Sequence, residues 1–119
     1  MRNLNLTTIE QTTLANLIHN EPFARKVLPF IKGDYFSDRT ERIVFEEIDK
    51  FVDKYNALPN HNSLEVELDS RKDLNEEDYK RIVSVLKSLE KDDDVNFEWL
   101  VETTEQFCKD KAVYNAIVD

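Results

Sequence analysis

Few residues in this chain have the types and spacing that chemistry requires. His19, His61 and Cys108 are the soft metal ligands present, and they lie far apart in sequence with none of the paired spacings of a zinc site. Asp92, Asp93 and Asp94 offer oxygens to a hard cation. A calcium loop, however, alternates its ligands and turns on a glycine, and "EKDDDVNF" does neither. That run reads as a solvated loop between helices. For nucleophilic catalysis the one close pair in sequence is His61 with Ser63, and the polar "PNHNS" around it reads as a turn and helix cap. A small hydrolase would have little else to work with.

Phosphate chemistry is limited by glycine. The chain carries one glycine, Gly33, in 119 residues. A phosphate-binding loop of the G-x-x-x-x-G-K-S/T type needs a pair of glycines and a dinucleotide fingerprint needs a third, so that backbone N–H groups can approach the phosphates. Neither fits in this sequence. The net charge of -9 also argues against gripping a nucleic-acid backbone, which takes a Lys/Arg surface that releases counterions. Arg25, Lys26 and Lys32 are a weak candidate patch for partner contact, three cations beside 25 carboxylates.

The elements that must position these residues are helical. Hydrophobic and charged fractions of 40% and 34% suit one soluble domain over residues 1–119, burying roughly two-thirds of its unfolded surface. No stretch approaches the roughly 18 apolar residues of a membrane span, and "MRNLNLTTIEQ" lacks the apolar core of a signal peptide. With Cys108 alone unable to form an intramolecular disulfide, a cytoplasmic location is predicted, with no membrane partner.

The apolar residues recur at helical spacing, which predicts an all-α, compact bundle of about six helices. The first helix is expected from Thr7 or Thr8, where Thr7-x-x-Glu10 has the form of a capping box, with Ile9, Leu14, Leu17 and Ile18 inward. Asn20 caps a short second helix that opens at Glu21-Pro22 and is ended by Pro29. "FIKGDYF" is a connection with Gly33 at its left-handed turn. Asp38-x-x-Glu41 opens the longest clear helix before Pro59, whose face runs from Ile43 through Val44, Phe45, Ile48, Phe51 and Val52 to Tyr55. A short helix over "HNSLEVELDSR" takes Asn62 or Ser63 as its cap. Asn75 caps the next, with Tyr79, Ile82, Val83, Val85, Leu86 and Leu89 buried.

Asn96 starts the last helix, so residues 1–95 read as the globular part and 96–119 as a C-terminal helix. Phe97, Leu100, Val101, Thr104, Phe107, Cys108 and Tyr114 fall close to one face. Beyond Lys109 the pattern changes. In "KAVYNAIVD" the apolar positions spread around the circumference, with no glycine cap and no following proline. Such a helix is either central in its own bundle, covered by a further segment, or covered by another copy. The last turns are expected to be frayed or packed on a neighbour. Phe107, Lys111, Tyr114, Ile117 and Val118 are therefore the candidate self-association residues, with plain core as the other reading of Phe107 and Tyr114.

Three stretches in order, "DYFSDRTERIVFEEIDKFVDKYNALP", "NSLEVELDS…LNEEDYKRIVSVL" and "EWLVETTEQFCKDKAVYNA", resemble the N-terminal domain of DnaB-type hexameric replicative DNA helicases. Tyr35 and Phe36 stand at the family's aromatic pair, followed by the Ile43 to Ile48 run and by Pro59. Leu64, Val66 and Leu68, then Trp99 to Val101, Thr104, Glu105, Asn115 and Ala116, match further along. Glu41-Arg42 and Ala57-Leu58-Pro59 depart from the bacterial His-Arg pair and Gly-x-Pro turn, and the likeness is to helicases of T-even-like bacteriophages.

The resemblance implies an all-α collar domain in which a small bundle leads into a helical hairpin, truncated in this chain, that pairs between subunits of a hexamer. It implies no catalytic, cofactor or metal site here. A linker and motor domain beyond it would bind ATP and Mg and move on single-stranded DNA, and primase and a helicase loader would be partners, in the bacterial host cytoplasm if phage-encoded. The alternative is a free-standing acidic phage interaction protein, an inhibitor or adaptor resembling the helicase domain.

Overall fold

The computed structural model describes residues 8–118. Six α-helices follow one another: α1 (Ile9–His19), α2 (Glu21–Val27), α3 (Arg39–Tyr55), α4 (His61–Asp69), α5 (Glu76–Ser88) and α6 (Phe97–Val118). Two 3-10 turns, Leu28–Phe30 and Gly33–Tyr35, link α2 to α3. No strand occurs among the described residues.

Caps set the helix starts. Asn20, Asp38, Asn75 and Asn96 cap as the sequence predicts, each accepting a backbone N–H of the first turn that would otherwise lack a partner. Two caps differ from expectation. The first capping box is Thr8 with Gln11, not Thr7 with Glu10, and Thr7 lies outside the described residues. "TTIEQ" permits either register locally, and Gln11 is the residue whose side chain also reaches Glu41 of α3. The α4 cap is Asn60 rather than Asn62 or Ser63, because Ser63 is the third helical residue and donates back to the cap.

Gly33 is the third correction. It opens a 3-10 turn with no positive φ, and a side chain there would meet Glu46 at 3.4 Å and Arg42 at 3.6 Å. The left-handed residue among those described is Asn56 (φ 51°), which ends α3.

α3 lies between α1, α4, α5 and the second 3-10 turn, and α6 packs on α1 and α2 from the other side. The core joins Leu14, Leu17, Phe23, Ile48, Leu86 and Leu100, all without exposed surface. Phe36 stacks on Phe45 at 5.2 Å and meets Phe107 edge-on at 6.1 Å, so the loop after α2 is clamped between α3 and α6. In α4 only Leu64 and Leu68 are buried, at i and i+4, and Val66 points to solvent; period-2 burial would have buried it as well. Tyr55 and Phe97, read from sequence as inward, are exposed at the ends of their helices.

Buried polar groups are mostly paired. Thr13 donates to Ile9 O at 2.7 Å, and Asn16 donates to Thr12 O at 2.9 Å. Glu47 pairs with Arg71 at 3.6 Å, and Arg71 in turn holds Asp73 at 2.6 Å, tying α3 to the segment before α5. The His19 ring nitrogen Nε2 lies 3.0 Å from Leu89 O and joins the ends of α1 and α5.

Candidate functional site

The residues able to do chemistry are placed as structural parts. His19 and His61, distant in sequence, come together with ring centroids 5.2 Å apart, which sequence spacing did not reveal. Among the described residues no group of three or more His, Cys, Asp or Glu is arranged to hold a metal ion. Burial, and then the charge of Glu105, pushes the Cys108 thiol up to about 11, so it stays protonated and unreactive near neutrality. Ser63 spends its hydroxyl in the Asn60 cap. Asp92 accepts from Asp94 N at 3.0 Å and closes its own loop.

The surface is more informative, and α6 explains why. At about 1.5 Å per residue its 22 residues measure about 33 Å, close to the 38 × 36 × 34 Å extents of the whole molecule. A helix of that length laid on one bundle must bring one end out of the core. Its first half buries Leu100, Val101, Thr104, Phe107 and Cys108. Its second half buries none of Val113, Tyr114, Ile117 or Val118, which are 60%, 59%, 77% and 59% exposed. These positions follow in consecutive turns, so the apolar surface is contiguous along the helix rather than scattered.

The five candidate self-association residues therefore separate. Tyr114, Ile117 and Val118 lie on the exposed end. Phe107 does not. It is 8% exposed and packs on Phe36, because about two turns before Tyr114 the helix is still over the core. Lys111 sits at the boundary, donating to Ser37 Oγ at 3.0 Å with its ammonium 5.8 Å from the Tyr114 ring centroid. Asn115 donates to Asp34 O at 3.2 Å. These two bonds hold one side of the exposed end to the segment before α3, and the helix runs through Val118.

Above the junction a shallow apolar groove of about 300 Å³ runs between Phe30, Tyr35, Cys108 and Ala112. Its lining on α6, Glu105, Cys108, Lys109 and Ala112, ends one residue before the exposed Val113. The weak basic patch is not one site. Arg25 pairs with Glu21 at 3.6 Å and donates to Asn56 O at 3.4 Å, whereas Lys32 lines a separate polar cleft with Asp34 and Glu46. Lys26 is exposed in the last turn of α2.

Among the described residues no helix is long and apolar enough to cross a membrane. The family of the DnaB-like helicase N terminal domain matches residues 2–98. A DnaB-like replicative helicase of Enterobacteria phage T4 is 28% identical over 103 residues, which are 87% of this chain and 21% of that protein. The chain thus spans about a fifth of the length of the curated relative it matches. With the match running from before α1 to the start of α6, this all-α chain belongs to the DnaB-like helicase N-terminal domain family.

Proposed function

We propose that this chain is the non-catalytic assembly and partner-docking domain of an ATP-dependent replicative DNA helicase. In this reading the globular part takes in the first half of α6, through Cys108, and the exposed second half of α6 carries self-association toward a collar hairpin. The observation that carries the reading is the bare apolar end of α6, where Tyr114, Ile117 and Val118 stand in water on a domain of a helicase family. Exposing that much apolar surface is unfavourable by about 25 cal/mol per Å², and burial against other copies removes the penalty.

In this reading ATP, Mg and single-stranded DNA are handled by a motor domain outside these 119 residues. Primase and a helicase loader are partners of the assembled ring, in the cytoplasm. The chain contributes geometry rather than chemistry, and its net charge of -9 keeps it off the nucleic acid itself.

Light scattering tests the reading. The chain alone is expected to be monomeric or weakly associating and to hydrolyse no ATP. The same chain extended by about fifty residues, enough for a helical hairpin at about 1.5 Å per residue, is expected to reach the mass of a ring. A strict monomer in both cases overturns the assembly role.

A further inference from the structure

We propose that the groove between the Leu28–Phe30 turn and the C-terminal half of α3 docks a basic amphipathic segment of a partner protein, which inserts an apolar side chain and sets a Lys or Arg against Asp49 and Asp53. The proposal rests on the partner-docking reading above and gives that docking a place and a chemistry.

The groove is lined by the apolar Leu28, Pro29, Val52 and Leu58, with two carboxylates, Asp49 and Asp53, and one cation, Arg25. Its volume of about 270 Å³ falls just below the roughly 300 Å³ of the smallest small-molecule pockets, which suits one or two protruding side chains better than a cofactor. The site lies on the α2–α3 side of the molecule and shares no lining residue with the groove beside the exposed end of α6.

Charge decides the kind of partner. Asp49 and Asp53 are both exposed and stand at i and i+4 on α3, a spacing at which like charges repel. Among the described residues neither forms an ion pair. Although the residue is exposed, partial desolvation of its carboxyl, and then the charge of Asp53, pushes Asp49 above its usual range. Of the neighbouring cations, Arg25 lines the groove but pairs with Glu21 at 3.6 Å and donates to Asn56 O at 3.4 Å, Lys54 lies beside the Tyr55 ring at 5.2 Å, and Lys50, on the adjoining cleft, forms no ion pair with either aspartate. The same two aspartates also wall the polar cleft on the other side of α3, so they crest a ridge between two depressions. A cation arriving with an apolar neighbour relieves the repulsion and fills the groove in one step. A phosphate backbone would meet the ridge with the wrong sign.

Two synthetic helical peptides test this, identical in their Leu/Phe stripe and carrying Lys or Glu at the flanking positions. Each is titrated into the full chain and followed by amide NMR shifts. The Lys peptide is expected to shift Val52, Asn56, Ala57 and Leu58 and to bind at least about tenfold tighter than the Glu peptide. The double variant Asp49→Asn/Asp53→Asn is expected to weaken the Lys peptide about tenfold with an unchanged circular dichroism spectrum. Equal binding of both peptides, shifts confined to α6, or no effect of the double variant overturns the proposal. Sedimentation of the extended chain reads assembly separately, so failure of the groove leaves the collar reading standing and failure of the collar leaves the groove.

Discussion

At the scale of the residue, the groups worth changing are the buried polar ones. Thr104 is fully buried in α6 and its hydroxyl has no hydrogen-bond partner. An unpaired buried hydroxyl costs about 1–3 kcal/mol, so the near-isosteric Thr104→Val is expected to stabilise the domain by about 1 kcal/mol, raising Tm by about 3–5 °C in a thermal melt. Glu41 is 7% exposed, and burial, followed by the charges of Asp38 and Glu10, raises its carboxyl above the ordinary 4.5, partly opposed by a hydrogen bond from Gln11. A carboxyl raised on folding adds stability below its unfolded value, and that stability is lost as pH rises through the folded value. Glu41→Gln is therefore expected to raise Tm at pH 7 and to lose that advantage below about pH 4, which melts across the acid range would read.

At the scale of the element, helix ends carry the local information. Asn56 terminates α3 with φ 51° and ψ 37°, a conformation that strains any residue bearing a Cβ and that Asn tolerates better than most. Asn56→Gly is expected to hold or raise stability, and Asn56→Ala to lower it by about 1 kcal/mol in denaturant unfolding. Gly33→Ala is expected to change little, since its φ is not positive and the new methyl would meet side chains at ordinary contact distances. The glycine looked like the place where the chain must turn; the link from α2 to α3 instead turns by two 3-10 segments, Leu28–Phe30 and Gly33–Tyr35, with no positive φ at Gly33. Short asparagine and serine runs such as "PNHNS" contain several competent caps, and only the packing of Leu64 and Leu68 onto the core selects Asn60 among them.

At the scale of the whole molecule, α6 divides into a buried half and a bare half. Phe107→Ala opens a cavity against Phe36 and is expected to destabilise the chain by about 3–5 kcal/mol, visible in urea unfolding. Ile117→Ser removes an apolar group that is 77% exposed and is expected to shift stability by less than about 0.5 kcal/mol while weakening association of the extended chain in sedimentation. A single-residue pair on one helix thus separates folding from assembly. If Ile117→Ser left association untouched, the exposed end of α6 would not be the contact surface.

The sequence alone determined the all-α class and nearly every helix, because these follow from 3.6-residue periodicity and from cap residues that act within four positions of one another, and the order of three matching stretches carried the family resemblance. It also marked "KAVYNAIVD" as apolar on several sides, since composition around a helix is a local property. Only the tertiary structure decided that Phe107 is core and Tyr114 is not, that His19 and His61 meet, and that Asp49 and Asp53 crest a ridge beside an apolar groove. Each of those depends on where one helix ends relative to another, and that is fixed by the packing of the whole bundle rather than by any stretch of chain.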